Sequence, residues 1–416
     1  MKTFFFKDIG YLSIARVLGL ANIPFQTFIF ANYLSAELIQ NFFILFGLFS
    51  LVVVFEGGAG TVLTYEYNRR LNDAKELVKL MGFFKKRFFK LTIYYFFTAI
   101  TAYFIYDYLF PGMLNSYKYQ YFICILLMTV NFNLYPIICI AEGSGRVREA
   151  LLVKSLAPIL SMLIFLVYVF FTGKIYLFFI IPTTTLIIYI LFIFFYEKHI
   201  FKEYFFNESL SNKHTISKNV SKANISWSSG YILTQGFPLL LPFVLSANEA
   251  ARLILTANLL NAFLTFLCIG ATIIGPRIPD MIKKNQLDYK KLIIKNLIFI
   301  YLILVLCLIF FDELLSIFYL VFNQEKFLES QYLFLFCLSF GFIPLYHFSV
   351  ILLKGIGIEP YARANMYVAL ATACLVFICA YIPYTNFLSI YIWFRLSFVT
   401  FIYVYKMIRY RFILSR

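Results

Sequence analysis

From residue 9 to residue 405, apolar runs of about twenty residues follow one another, each long enough to cross the roughly 30 Å hydrocarbon core of a bilayer. Lipid offers no hydrogen bonds, so every backbone N–H and C=O in such a run must be satisfied within its own helix. That requirement dictates an all-α integral membrane protein. Hydropathy and periodicity place twelve spans at roughly 9–34, 39–65, 84–107, 119–141, 152–171, 175–196, 218–245, 250–275, 292–311, 329–352, 363–383 and 386–405. Charged residues make up only 13% of the chain, against about 25% in a soluble domain. The start, "MKTFFFKDIGYLSIARVLGL", has no small-residue cleavage site and reads as an uncleaved first helix. Cysteines 124, 139, 268, 307, 337, 374 and 379 all fall in apolar runs without CxxC spacing; they read as core filler, with no disulfide and no metal.

Charge sets the expected orientation. With the N-terminus inside, thirty of the 36 Lys and Arg residues fall in inner segments. Only Lys118, Lys174, Arg252 and Lys326 fall outside, while Arg16 and Arg395 lie within spans. Both termini are therefore expected in the cytoplasm. Abundant Phe, Ile, Tyr, Asn and Lys point to an AT-rich bacterial gene, hence to a multi-pass protein of the bacterial inner membrane. The net charge of +16 reads as topology and attraction to anionic bilayer lipids, not as nucleic-acid binding. No loop exceeds about 25 residues, which leaves no room for a soluble catalytic domain. Nothing has metal-ligand spacing, and no phosphate loop follows a strand. The expectation is a transporter without bond chemistry and without a cofactor, its coupling to H⁺ or Na⁺ left open.

The sequence also repeats itself. Glu142-Gly143-Ser144-Gly145 closes the fourth span and Lys354-Gly355-Ile356-Gly357 closes the tenth, 212 residues later. Ser35, after the first span, is echoed by Ser246 after the seventh, and Gly58-Ala59 in the second by Gly270-Ala271 in the eighth. These offsets of 211 to 212 argue for two six-helix lobes, residues 1–205 and 206–416. Six is even, so the lobes share one orientation: parallel repeats about an axis along the membrane normal, with a site expected where they meet.

The stretch "SIARVLGLANIPFQTFIFANYLSAELIQNFFILFGLFSLVVVFEGGAGTVLTYEYNRRL" (Ser13–Leu71) resembles the N-terminal signature of polysaccharide-export flippases. The likeness lies in an Arg before Leu-Gly, a Leu-Ser loop, an acid followed by Gly-x-Gly, and a basic tail. "EGSGR" (Glu142–Arg146) is similar to the end of helix 4 in Wzx-type O-antigen flippases. These belong to the multidrug/oligosaccharidyl-lipid/polysaccharide (MOP) exporter superfamily. The resemblance implies twelve helices in two MATE-like lobes and alternating access. It also implies translocation of an undecaprenyl-diphosphate-linked oligosaccharide, an O-antigen or capsule repeat unit, from the cytoplasmic to the periplasmic leaflet. Polymerase and chain-length proteins of the same lipopolysaccharide or polysaccharide biosynthesis pathway would be partners. A MATE-type drug or cation antiporter shares the fold and stays open as an alternative. An integral-membrane polysaccharide polymerase fits less well, because the outer loops are small.

Moving a sugar-diphosphate head through oil requires a wet, polar, cationic passage. Helix 1 offers Arg16, Gly19, Asn22 and Gln26 within an arc of about 120° beside Pro24. Arg395 stands near the middle of helix 12, too deep to reach the interface easily. Ser228, Tyr231 and Gln235 line helix 7, and Asn258, Asn261 and Thr265 line helix 8; both rows suit sugar hydroxyls or interhelical hydrogen bonds alike. Glu56 is a candidate for an ion pair with Arg16 or for proton coupling. Of Asn131 and Asn133 at most one can face a cleft, and His347 reads as a core residue. Glu142 and Lys354, equivalent in the two halves and opposite in charge, are a candidate cytoplasmic gate.

Overall fold

The computed structural model describes residues 22–206, 214–268, 288–355, 362–382 and 386–414. Among them the regular structure is helical, as expected of a chain that must satisfy its backbone in lipid. Eight helices among the described residues are long and apolar enough to cross a membrane, or ten if two sharply bent pairs each count as one span.

The chain begins with α1 (residues 22–33), followed by α2 (Ala36–Phe49), α3 (Val52–Glu56) and α4 (Ala59–Arg69), which together form the second span. Next are α5 (Ala74–Leu109), α6 (Lys118–Gly143), α7 (Val147–Thr172), α8 (Ile180–Tyr196) and α9 (Lys198–Phe206). After α10 (His214–Leu233), α11 (Phe237–Leu240) and α12 (Ala247–Leu267) come α13 (Asp288–Ile309), α14 (Phe311–Val321), α15 (Ser330–Ser339) and α16 (Ile343–Gly355). The chain continues with α17 (Ala362–Tyr381) and α18 (Phe387–Phe394), and a π-helical turn (Arg395–Val399) joins α18 to α19 (Thr400–Leu414).

The difference between ten spans and twelve lies at the first and seventh. Most of the first predicted span lies outside the described residues. The seventh is broken: α10, "HTISKNVSKANISWSSGYIL", is too polar to pass as a span, and the helix stops before Gly236 and Pro238. The bends were also not anticipated. α8 meets α9 at 101°, and α13 meets α14 at 81°.

Packing divides the chain into two compact units, Met1–Asn22 with Asn41–Leu239, and Ile23–Gln40 with Leu240–Arg416. The packing boundary thus differs from the division of the sequence repeat at residues 205 and 206. In the first unit α6 is central, packing on α4, α5, α7, α8 and α9. Its core is aromatic, with Phe42 stacked on Phe165 and Tyr103 on Tyr121. Tyr95, Tyr103 and Tyr121 are fully buried because each hydroxyl donates to a main-chain carbonyl, of Phe49, Leu114 and Ala99 respectively. In the second unit α15 packs on α18, α13 on α16, and α17 on α19. There Asn365 of α17 ties Tyr346 of α16 to Tyr403 of α19.

The repeated serines do the same local job. Ser35 Oγ accepts from the N–H of Leu38 at the start of α2 (3.3 Å). Ser246 Oγ accepts from Glu249 at the start of α12, where the Glu249 carboxylate returns to the Ser246 N–H to complete a capping box.

Candidate functional site

In the first unit several charges join a network built on the helix-2 break and the "EGSGR" motif. Gly57 and Gly58 both have positive φ, 51° and 72°, which ends α3 and restarts the chain as α4. Glu56 holds this break: one carboxylate oxygen accepts from Gly58 N–H (2.8 Å) and the other from Gly60 N–H (2.7 Å). These are orphan donors of the α4 N-terminus, and a carboxylate also suits its positive dipole end. No ion-pair partner of Glu56 lies among the described residues, and Arg16, its predicted partner, lies outside them.

Glu142, at the end of α6, is engaged by Lys154 of α7, with Nζ 2.6 Å from Oε2. Lys154 also lies over the Tyr135 ring and 3.4 Å from Cys139 Sγ. Thr64 of α4 donates toward Glu142 and the Cys139 carbonyl, and Asn68 donates to the Gly143 carbonyl. Gly143 is required at its place: an added Cβ would lie 2.8 Å from the Thr64 carbonyl oxygen. Arg146 donates to the Tyr196 carbonyl (2.7 Å) and pairs with Glu197 at the α8–α9 bend. The motif therefore staples helices 2, 4, 5 and 6 of its own unit together. The Lys354 side chain lies outside the described residues, and the Glu142 carboxylate of the predicted gate is held by Lys154.

Helix 7 contributes to the same unit. Tyr231 donates to the Gly47 carbonyl of α2 (2.7 Å), and Ser228 donates to Asn224 Oδ1 (3.0 Å). At Gly47 an added Cβ would meet the Gln235 carbonyl oxygen at 2.5 Å. Two of the three polar residues predicted on helix 7 thus hold structure together. Gln235 differs, its Oε1 being buried without a partner among the described residues, and so does Asn22, whose Oδ1 is in the same condition. Gln26 is half-buried on the next turn of α1. Asn131 donates to the Pro182 carbonyl while its Oδ1 shares the condition of Gln235 and Asn22, and Asn133 donates to the Thr129 carbonyl.

The second unit holds one charge of a different kind. Arg395 is the ninth residue of the span Phe387–Lys406 and opens the π-helical turn. Widened turns of this type recur at functional positions. The guanidinium carbon lies 4.2 Å from the centroid of Phe340, 5.5 Å from Phe336 and 5.8 Å from Tyr391. Among the described residues its nitrogens reach two neutral hydroxyls, Ser339 Oγ at 3.4 Å and Tyr391 at 3.3 Å. None of the ion pairs among the described residues involves it. The arginine is therefore packed against protein, with its planar face on aromatic rings and no compensating carboxylate among the described residues. On α12, Asn258 is half-buried and Asn261 exposed. The side chain of His347 lies outside the described residues.

Sequence reasoning singled out Arg395 but not the aromatic cradle around it. Tyr391, four residues earlier on the same helix face, was the one signal available. Lys154 was counted as an inner-side base and missed as the partner of Glu142.

No protein-family model and no curated protein matches the sequence. Solved structures do match, along nearly its whole length. A MOP-superfamily transporter from Pyrococcus furiosus, described as having a binding pocket of reverse polarity that suggests a different function, aligns with TM-score 0.59 at 14% identity, covering 98% of this chain and 96% of its own. An outward-facing multidrug-resistance MATE transporter of the same superfamily aligns at 0.58 and 13%, again over 98% and 96%. A MATE in complex with MaL6 aligns at 0.58 and 12%, over 99% and 97%. The chain has the fold of MATE transporters of the MOP superfamily. At these identities the likeness concerns the fold. The MATE fold agrees with a multi-pass membrane protein.

Proposed function

We propose that this MATE-fold protein is a flippase that moves an anionic, lipid-linked oligosaccharide across the inner membrane by alternating access. The observation that carries the reading is Arg395, a cation held within a span with no carboxylate partner among the described residues. A half-buried charge within a span that no carboxylate compensates is costly unless a ligand or water completes it. An anionic head, such as a diphosphate bearing sugars, supplies the missing charge, and the guanidinium fork matches phosphate oxygens. The sequence resemblance to polysaccharide-repeat-unit flippases points to the same cargo, with an undecaprenyl diphosphate as its lipid.

The drug or cation antiporter fits the fold equally well. It calls for acidic groups where its cargo binds, whereas the two acids singled out in the sequence of the first unit are engaged: Glu56 by main-chain N–H groups and Glu142 by Lys154. The Pyrococcus protein, with its reverse-polarity pocket, supports the view that this fold is not restricted to one sign of charge. Outward movement of an anion is favoured in an inside-negative membrane by about 2.3 kcal/mol per charge per 100 mV, so the potential can drive the step without a coupling ion.

Deletion of the gene tests the assignment. A flippase loss leaves single lipid-linked repeat units trapped in the cytoplasmic leaflet. Single units that still reach the surface identify a polymerase instead. Intact surface glycan together with sensitivity to cationic toxins identifies an antiporter and overturns the proposal.

A further inference from the structure

The first unit carries a charged surface that the transport reading does not use. α8 ends at Tyr196, and α9 leaves it at 101°, turned away from the direction of the span. One face of α9 is buried through Ile200 and Tyr204, while Lys198, His199, Lys202 and Glu203 are exposed. The helix is fixed at both ends. Arg146 holds the Tyr196 carbonyl and Glu197 at its start, and Lys85 of α5 donates to the Phe205 carbonyl at its end (2.5 Å).

Beside it, α5 exposes Lys86 and Lys90. Two lysine–aromatic pairs mark a common level on these neighbouring elements. Lys90 lies over Tyr94 (5.5 Å to the centroid) and Lys198 over Phe194 (5.8 Å). Both aromatic rings are exposed, as are Phe89 and Phe97 on α5. α5 and α8 have opposite chain directions across the membrane, so in each pair the ring lies on the hydrocarbon side and the ammonium on the water side. That is the arrangement of side chains at the headgroup layer. None of Lys86, Lys90, Lys198 and Lys202 belongs to an ion pair among the described residues.

We propose that Lys86 and Lys90 of α5, with Lys198 and Lys202 of α9, form a rigid shelf that binds the phosphate headgroups of anionic phospholipids. Four unpaired ammonium groups at headgroup level, with Glu203 as the one exposed acid of α9, complement a lipid of net negative charge. A zwitterionic headgroup lacks that charge. This inference is independent of the cargo, since it uses none of the residues assigned to cargo binding.

Hydrogen exchange of the wild-type protein in nanodiscs gives a test that needs no variant. Amides of 198–206 should exchange several-fold more slowly in phosphatidylglycerol than in phosphatidylcholine, and 0.5 M salt should erase the difference. Equal exchange in the two lipids overturns the proposal. Lys198→Gln/Lys202→Gln should then weaken phosphatidylglycerol retention, by on the order of fivefold per lysine removed. Lys118→Gln/Lys174→Gln, altering exposed lysines of the opposite side, should leave it unchanged. Inorganic phosphate at millimolar concentration should not compete. If it displaces the lipid as readily as added phosphatidylglycerol does, the shelf is a free-anion site and the assignment to lipid fails.

Discussion

The charge network around Glu56 and Glu142 in the first unit and the arginine site of the second treat charge in opposite ways. In the first, Glu142 meets Lys154, Glu197 meets Arg146, Glu66 meets Arg70, and Glu56 is absorbed by the N–H groups of a broken helix. In the second, Arg395 is surrounded by rings and hydroxyls, with no acid in reach among the described residues. Charges that satisfy one another join helices. Arg395 has no carboxylate among the described residues and sits within a span against aromatic rings, and that setting separates it from the paired charges of the network.

The contrast breaks most sharply at Arg395. Arg395→Ala should reduce export by about thirtyfold or more, equivalent to losing about 2 kcal/mol of charge-assisted contact, while insertion and unfolding temperature stay near wild type. Arg395→Lys should fall between the two, because a point charge replaces a planar fork. Pulse-labelled glycan export, alongside thermal unfolding in detergent, checks both. If Arg395→Ala unfolds the protein instead, the arginine belongs with the structural charges.

Lys154→Met should show the reverse pattern, a stability loss first. Its side chain and that of Glu142 retain 18% and 20% exposure, so removing the cation should cost about 2 kcal/mol, less than for a fully buried pair. Lys154→Met/Glu142→Leu should recover part of it, measured by detergent unfolding. An unaffected midpoint in the single variant would mean that the pair contributes little. Tyr231→Phe, which strips the hydroxyl from the Gly47 carbonyl, should cost about 1 kcal/mol in the same assay. Ser246→Ala should cost up to about 1 kcal/mol, and Ser35→Ala somewhat less because its cap lacks the reciprocal Glu.

Much of this was legible in the sequence. Apolar run length fixes spans because the bilayer is a uniform solvent, and the serine caps were visible as a repeat because capping is local. The bend at Glu197 was less visible: hydropathy continues weakly into "KHIFKEYFF", and only the amphipathic pattern of Ile200 and Tyr204 marks a separate surface helix. The Glu142–Lys154 pair was hidden for another reason. The two residues lie on successive helices, and how those helices pack is set by small residues such as Gly143, not by spacing along the chain. The cradle of Arg395 likewise draws Ser339, Phe336 and Phe340 from α15, more than fifty residues earlier.

The central claim, that the uncompensated arginine serves an anionic cargo, is tested most directly by reconstitution into proteoliposomes with two labelled substrates. One is a polyprenyl-diphosphate-linked oligosaccharide and the other a lipophilic organic cation. The account predicts that the wild-type protein flips the first, that Arg395→Ala does not, and that neither transports the cation. Transport of the cation by wild type, with the lipid-linked sugar left in its original leaflet, would contradict it.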